Sequence, residues 1–178
     1  MQFELLRKDS QADLELLFQS TFSSTEGEDE GKLIGSLASK LASNIDDTNV
    51  FCFGAIEDRS VIGAVFLTRL TFQDESLVYM LAPVAVLTTH QRSGIGKELI
   101  RFAMEFMAKA GTEVVVTYGD PEFYGKAGFT PLSEKVLQSP MELSMPFGWL
   151  GKSLTDKPIQ TRSDKPSCVE AFRNPTYW

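Results

Sequence analysis

The feature that most constrains the fold of this chain is a strand, a glycine loop and a helix in direct succession between residues 81 and 107. The run Leu81–Val86 is apolar, and the polar loop after it contains Gly94 and Gly96. From Lys97 onwards the apolar residues recur at helical spacing, so the loop opens directly into a predicted helix. The first turn of a helix leaves backbone N–H groups unpaired and carries partial positive charge. A phosphate is therefore a ligand that this junction favours.

The residues before this junction predict two helices and a meander of three strands. A short strand over Gln2–Arg7 comes first, with Asp9 or Ser10 placed to cap the first helix. Residues 23–30 predict a loop that leads into the second helix. The meander follows the turn at residues 44–49, and its strands are Val50–Glu57, Val61–Leu70 and Leu77–Val86. Pro83 cannot donate to a ladder, so we expect a bulge or an interrupted pairing there.

The residues after the junction predict a strand parallel to the one before it. The helix ends near Gly111, and the β-branched run Val114–Tyr118 follows as a strand. A strand, helix, strand unit implies a right-handed crossover between parallel strands. Asp120 and Pro121 then open a short helix. Further strands are predicted at Met141–Leu150 and Cys168–Phe172, and a mobile polar segment is expected between them.

Length and charge limit the possible classes of protein. The 178 residues predict one domain over 1–178, with its core in 2–131 and C-terminal strands and a mobile loop in 132–178. The net charge of −7 argues against general nucleic-acid binding. No apolar run approaches the ~20 residues of a membrane helix, and no secretory segment is seen at the N-terminus. Cys52 and Cys168 are expected to be reduced and buried, which predicts a cytoplasmic protein without membrane contact.

The glycine loop can be compared with three phosphate-binding motifs. A P-loop requires a glycine where Gln91 stands and Ser or Thr where Glu98 stands. A dinucleotide fingerprint requires a third glycine at Leu99. The pattern that fits is Gln-x-x-Gly-x-Gly over Gln91–Gly96, placed between a strand and a helix. An ordinary strand-to-helix turn is the alternative for so short a pattern.

The chain resembles the GNAT superfamily of N-acetyltransferases, and in particular its YhbS-like subgroup. The resemblance rests on Val84–Val86, on the loop Gln91–Gly96, and on the segment Gly119–Phe129 at the expected separation. It covers the order of elements from residue 2 to about 130, and more weakly Val169–Phe172. It implies a mixed, mostly antiparallel sheet with a splayed parallel strand pair, flanked by helices. It also implies acetyl-CoA as the donor substrate, and no metal.

The resemblance assigns a donor site to residues around the glycine loop. The pantetheine arm would pair like an extra strand with the backbone of Val84, Ala85 and Val86. The pyrophosphate would be held by main-chain N–H groups, where glycine has a physical role because a Cβ would keep the backbone away from the phosphates. Arg92 and Lys97 are expected to add positive charge. The implied loop residues are Gln91, Arg92, Ser93, Gly94, Ile95, Gly96 and Lys97.

The resemblance also suggests the chemistry at the sulfur. Tyr124 matches the family tyrosine that protonates the departing thiolate; a packed tyrosine with a hydrogen-bonded hydroxyl is the alternative. The frequent family Asn, seven positions before it, is here Thr117. Many relatives carry a Glu on the strand before the loop, but residues 79–82 contain none. The general base is therefore open, and the candidates are Glu28, Glu26, Asp29, His90 and a water held by the backbone.

The implied reaction is direct transfer of an acetyl group to a primary amine in a ternary complex. Neither cysteine belongs to a nucleophile motif, which fits direct attack. The acids between Glu26 and Glu30 suggest a cationic acceptor, either a small molecule or a peptide. A non-catalytic acyl-CoA sensor or partner-binding module is the alternative function. A homodimer is possible because aromatic ends such as Pro175–Trp178 sometimes pack across dimers.

Overall fold

The computed structural model describes every residue from Met1 to Trp178. Its strands are β1 Gln2–Leu5, β2 Val50–Glu57, β3 Ser60–Leu70, β4 Val78–Val86, β5 Val114–Tyr118, β6 Thr130–Pro131 and β7 Trp149–Ser153. Its helices are α1 Gln11–Glu26, α2 Glu28–Ser43, α3 Ile95–Lys109 and α4 Pro121–Gly125. Short 3-10 turns occur at Lys8–Ser10, Thr88–His90, Pro146–Gly148, Glu170–Phe172 and Pro175–Tyr177. No helix of the chain combines the length and the apolar character needed to cross a membrane.

The strands form one seven-stranded sheet in the order β1-β2-β3-β4-β5-β7-β6. Antiparallel pairing joins β1 to β2, β5 to β7 and β6 to β7, whereas β4 and β5 run parallel. The predicted fold class is therefore confirmed: a mixed, mostly antiparallel sheet with one parallel pair, flanked by helices. Helix α3 supplies the crossover that a parallel pair requires.

The parallel ladder between β4 and β5 is short. It joins Val78, Tyr79 and Met80 to Val114, Val115 and Val116, although β4 continues to Val86 and β5 to Tyr118. Pro83 lies three residues past the last ladder pair, on the part of β4 that follows the ladder. The parallel pairing therefore stops before Pro83, and the proline, which has no N–H to donate, lies in the part of β4 that is not paired with β5.

Two compact units are distinguished within the chain. The first contains residues 1–67 and 83–103, and the second contains residues 68–82 and 104–178. In the first unit, Phe18 of α1 lies 5.7 Å from Phe66 of β3, and Phe102 of α3 lies 5.9 Å from Phe3 and 6.0 Å from Phe53, measured between ring centroids. Aromatic packing of this kind fixes both helices on their strands. The assignment of residues 1–178 to a single domain stays a prediction.

The loop predicted at residues 23–30 is wrong, because α1 continues to Glu26 and only Gly27 separates it from α2. Gly27 has a φ of 103°, which favours glycine and turns the chain in one residue. The close approach of the two helices also depends on glycine: a Cβ on Gly31 would lie 2.7 Å from the Gln19 carbonyl oxygen. Ser10 stands at the N-cap of α1 as predicted, but its side chain makes no capping bond.

Both C-terminal strand predictions need correction. The strand predicted at Met141–Leu150 begins only at Trp149, because the backbone N–H of Met145 donates to the Tyr118 hydroxyl instead of a ladder. The strand predicted at Cys168–Phe172 contains a 3-10 turn. There the N–H groups of Phe172 and Arg173 donate to the carbonyls of Val169 and Glu170, so the backbone bonds are local and do not reach a neighbouring strand. Segment 154–167 has no helix or named strand, and its mobility stays a prediction.

The C-terminal end packs on the second unit of its own chain. Trp178 is 5% exposed, and its Nε1 donates to the Phe172 carbonyl oxygen at 2.8 Å. Its ring stacks on Tyr118, the last residue of β5, with 6.2 Å between centroids, and also contacts Trp149. This indole supports the end of β5, from which the chain continues into α4.

We expect Trp178→Ala to lower the free energy of unfolding by about 3–5 kcal/mol, since it removes a buried indole and leaves a cavity. Urea denaturation measures this loss, with Phe147→Ala as the control because the Phe147 side chain is 68% exposed. A loss no larger for Trp178→Ala than for Phe147→Ala would contradict the packing role of the C-terminus.

Candidate functional site

The glycine loop, residues 91–96, has a backbone that is set by local contacts. Gln91 Nε2 donates to the Val86 carbonyl oxygen at 2.9 Å, which folds the loop back on the end of β4. Arg92 and Gly94 adopt positive φ values of 61° and 86°. The N–H of Glu98 donates to the Gly94 carbonyl at 3.0 Å, so helix α3 begins directly after Gly94. Ile95 anchors this start in a core cluster with Ala55 and Ile62.

The backbone N–H groups of residues 92–97 have no acceptor within the chain. Residues 91–94 and Lys97 are exposed, and Gly96 is half-buried. Successive unpaired N–H groups form a concave anion site when the residues alternate between right-handed and left-handed backbone conformations. The start of α3 adds the positive end of its helix dipole. The predicted anion site therefore has the donors that its chemistry requires, all within the first unit.

Positive side chains flank this backbone. Arg92 and Lys97 are both exposed, and neither takes part in an ion pair. Glu98, the acid next to Lys97 in the sequence, forms an ion pair with Arg101 at 2.6 Å. Two cations free of internal partners can therefore interact with an anion bound at the loop.

The segment predicted to pair with a pantetheine arm lies on β4 past the parallel ladder. Val84 and Val86 are half-buried, and Ala85 is 3% exposed. This alternation is that of a strand with one face in the core. Because the ladder with β5 ends at Met80, the Val84–Val86 segment is outside the parallel pairing. It is continuous with the glycine loop through the 3-10 turn at Thr88–His90.

His90 is held by two neighbours in the first unit. Its Nε2 lies 3.0 Å from Glu57 Oε2, and its Nδ1 lies 2.8 Å from Thr89 Oγ1. Both ring nitrogens thus have a partner within the chain, and a role of His90 as a base stays a prediction. The partner Glu57 was not foreseen, because it ends β2 and lies 33 positions away in the sequence.

The predicted base candidate Glu28 begins α2, next to Gly27. Its carboxylate is 80% exposed and lies 3.4 Å from Lys32 Nζ. Asp29 and Glu30 follow in the same turn, whereas Glu26 ends α1, so all four acids gather at one helix junction of the first unit. Acids in the first turn of a helix are stabilised by its dipole, which is sufficient to explain them without a substrate.

Tyr124 lies in α4 of the second unit, and its side chain is half-buried. Asp120 caps this helix by accepting from the N–H of Glu122 at 2.9 Å. The ring packs edge-on against Phe129, with centroids 5.9 Å apart. Gly119 lies so near that a Cβ there would be 2.8 Å from Tyr124 Cε2. The prediction of a short helix opened by Asp120 and Pro121 is confirmed.

The pKa of Tyr124 is raised above its ordinary value. Burial of the phenol is the main cause, the Thr117 side chain opposes it by hydrogen bonding, and the Asp120 carboxylate adds to the rise. A raised pKa keeps the phenol protonated at neutral pH. The side chain is therefore in the form that can donate a proton.

The remaining reactive groups do not form a nucleophilic or metal site. Cys52 and Cys168 are free and buried, and burial raises the pKa of both thiols. The neutral thiol is a poor nucleophile. No group of three or more His, Cys, Asp or Glu side chains is placed to hold a metal ion.

Comparison with known proteins identifies the family. The sequence profile of the acetyltransferase (GNAT) family matches residues 6–129, so the chain belongs to this family. It is 32% identical over 104 residues to the uncharacterized N-acetyltransferase YjhQ of Escherichia coli, covering 55% of this chain and 58% of that protein. It is 31% identical over 74 residues to the uncharacterized N-acetyltransferase YhbS of Escherichia coli, covering 41% of this chain and 44% of that protein. The chain spans about half the length of these curated relatives.

Solved structures share the fold over nearly the whole chain. The structure of Escherichia coli YhbS in complex with CoA aligns with a TM-score of 0.78 and 22% identity, covering 97% of this chain and 92% of that one. A GNAT acetyltransferase from Brucella melitensis in complex with acetyl-CoA aligns with a TM-score of 0.67 and 20% identity, covering 96% and 98%. The resemblance to the GNAT superfamily and its YhbS-like members is thus confirmed.

Proposed function

We propose that this protein is an N-acetyltransferase that transfers an acetyl group from acetyl-CoA to a primary amine. The observation that carries the proposal is the run of unpaired backbone N–H groups at residues 92–97, between β4 and α3. Membership of the acetyltransferase family supports it. Two structural neighbours were solved with CoA or acetyl-CoA bound, which favours the same donor here.

The proposed donor site comprises the glycine loop, the segment Val84–Val86 and two cations. The N–H groups of the loop would bind the pyrophosphate, and the backbone of Val84–Val86 would pair with the pantetheine amides. The unpaired side chains of Arg92 and Lys97 would add charge. No metal takes part in this proposal.

The proposed reaction is direct. The neutral amine nitrogen attacks the thioester carbonyl carbon, the carbon–sulfur bond breaks, and the departing thiolate takes a proton from Tyr124. The nitrogen loses its extra proton to solvent as the amide forms, and solvent returns a proton to Tyr124. At neutral pH the phenol of Tyr124 carries the proton that this role requires, since burial raises its pKa above the ordinary value for tyrosine. The buried thiols of Cys52 and Cys168, each with a raised pKa, argue against a covalent acyl-enzyme.

The acceptor side of the proposal rests on the acids at the α1–α2 junction. Three of these carboxylates are exposed and Glu30 is half-buried, and together they would attract a cationic amine, on a small molecule or a peptide. Glu28 is the proposed base that removes a proton from the ammonium form before attack. A comparison of Glu28→Gln with Glu26→Gln and Asp29→Asn tests that role, since the base variant alone should need a higher pH to reach full activity.

The cellular setting follows from the same proposal. Reduced cysteines and an acidic surface favour a cytoplasmic enzyme without membrane or general nucleic-acid partners. A homodimer stays a prediction. The Trp178 indole is buried on its own chain, so the ring itself is not free to dock on a partner.

The function is tested by measuring thiol release from acetyl-CoA with a panel of polyamines, aminoglycosides, lysine peptides, and neutral and anionic amines, alongside binding of acetyl-CoA. We expect saturable binding and amine-dependent thiol release matched by amide formation. Binding with no release for any amine, including neutral and anionic ones, would contradict the enzyme and indicate an acyl-CoA sensor. Turnover only of neutral or anionic amines would contradict the cationic acceptor.

A further inference from the structure

The turn that follows α4 is held by a lysine of β7. Residues 126–129 form this turn between α4 and β6. Lys152 is half-buried, and its Nζ donates to the Ala127 carbonyl oxygen at 2.9 Å. Lys152 takes part in no ion pair, so no carboxylate competes with the carbonyl for its ammonium group. A lysine that donates to a carbonyl near the end of a helix stabilises that end.

The close approach of Lys152 to this turn depends on Gly128. A Cβ at Gly128 would lie 3.1 Å from Lys152 Nζ and 3.4 Å from Lys152 Cε, and the residue has a φ of 90°. The lysine stem therefore runs along backbone that no other residue type would leave open. The packing against Gly128 and the hydrogen bond to Ala127 both bring Lys152 to the same turn.

The same turn determines the backbone of Tyr124. The N–H groups of Ala127 and Phe129 donate to the Tyr124 carbonyl oxygen at 3.0 and 3.2 Å. The Phe129 ring packs edge-on against the Tyr124 ring. All of these residues lie in the second unit. The side of Tyr124 that faces the end of α4 is thus fixed by the turn that Lys152 binds.

We propose that Lys152 is a positioning residue, which holds the turn after α4 and thereby fixes the direction of the Tyr124 hydroxyl. The proposal rests on the proposed role of Tyr124 as the acid. Lys152 acts through the Ala127 carbonyl and gives up no proton itself. A displacement of about 1 Å in a group that must meet a reacting atom costs about 10²-fold in rate. The effect of Lys152 should therefore fall on turnover, while binding of the donor is retained.

The test compares Lys152→Met with Lys152→Arg in two measurements. The first is kcat together with the Kd of acetyl-CoA. The second is the NMR signal of the ¹³C-labelled Tyr124 ring, assigned with Tyr124→Phe, which reports the position of this ring against Phe129. Methionine has no hydrogen-bond donor, whereas arginine keeps both donor and charge.

We expect Lys152→Met to lower kcat by roughly 10- to 100-fold and to move the Tyr124 signal, with Kd within about threefold. Lys152→Arg should keep kcat within about threefold of the wild type and leave the signal in place. Wild-type kcat in Lys152→Met, or an unmoved Tyr124 signal, would overturn the proposal. A folded Lys152→Met protein that loses only stability towards urea would show a purely structural lysine and would overturn it as well.

Lys126→Met is the matched control. Lys126 belongs to the same turn, but its side chain is exposed and takes part in no ion pair. The variant removes one positive charge near Tyr124 and leaves the bond between Lys152 and Ala127 intact. It should change neither kcat nor the Tyr124 signal. Equal losses of kcat in the two methionine variants would overturn the proposal, because charge alone would then explain the effect.

A failure of the proposed function is distinguishable from a failure of this proposal. An inactive wild-type protein contradicts the enzyme, yet the Tyr124 signal still decides whether Lys152 positions this ring. If Lys152→Met does not fold, Lys152→Arg keeps the test intact. A folded arginine variant with a displaced Tyr124 signal, or with kcat lowered tenfold, would also overturn the proposal.

Discussion

Tyr124→Phe is expected to lower kcat by about 10²–10⁴-fold while the Kd of acetyl-CoA stays within about threefold, because only the proton for the thiolate is lost. The ring contacts with Phe129 and with the Gly119 backbone are those of a phenyl group and persist in the variant. Stopped-flow or steady-state thiol release measures kcat, and calorimetric titration measures Kd. The control is Tyr177→Phe, which keeps the edge-on contact of that ring with Phe172.

The pH dependence of kcat tests the same role of Tyr124 as proton donor. Burial, above all, raises the pKa of Tyr124, so the phenol is protonated below that raised value and loses its proton above it. Because the protonated form is the donor, kcat should be maintained through neutral pH and fall on the alkaline side. This alkaline decrease should be absent from Tyr124→Phe. A variant with wild-type kcat and an unchanged alkaline limb would contradict the role of Tyr124.

Gly94→Ala is expected to weaken acetyl-CoA binding by roughly 10- to 100-fold, as loss of a charge-assisted hydrogen bond would. Gly94 has a φ of 86°, and an alanine would pull the backbone away from this angle and turn the neighbouring N–H groups. A Cβ at Gly94 meets no atom of the protein within 4 Å, so a direct clash is not the cause. Calorimetric titration with acetyl-CoA measures the change.

Gly111→Ala is the matched control for Gly94→Ala. Gly111 follows α3 as Gly94 precedes it, its φ is 92°, and a Cβ there would make an ordinary contact of 3.6 Å with Leu77 Cδ1. Both variants should lose similar stability from backbone strain. Only Gly94→Ala should lose affinity for the donor. Equal affinities in the two variants would contradict the assignment of the loop to the pyrophosphate.

Strands and helices with strong local patterns were predictable from the sequence. The bounds of β2 and β5 agree with the predicted Val50–Glu57 and Val114–Tyr118, because β-branched and aromatic runs between turns have few alternatives. The α1–α2 junction was not predictable, since its serines and threonines are typical of loops. In the helix, Ser24 and Thr25 hydroxyls donate to the carbonyls of Ser20 and Thr21 instead.

The C-terminal region could not be predicted, because its contacts are distant in the sequence. The short β6 has only two residues and leaves no local pattern. Tyr118 determines the course of residues 144 and 145 by hydrogen bonds across 26 and 27 positions. Trp178 packs on Tyr118 from 60 positions away. Such contacts depend on the folded sheet and cannot be predicted from a short segment of the sequence.

The candidate site was predictable in its donor part and much less so in its acceptor part. The loop Gln91–Gly96 consists of consecutive residues, so the spacing of its two glycines already indicated an anion site. The hydrogen bond between Thr117 and Leu81 joins two strands, so it could be recognised only once the register of β4 and β5 was known. The four acids near Gly27 were visible in the sequence, but their exposure on a helix junction gives no single one a distinct chemistry.

The most direct test of the central claim is an NMR titration of ¹⁵N-labelled protein with acetyl-CoA. We expect saturable binding, with the largest changes in amide chemical shift at the unpaired N–H groups of residues 92–97. Absence of saturable binding, or saturable binding that leaves these six amides unchanged, would contradict the assignment of the glycine loop to the pyrophosphate of the donor.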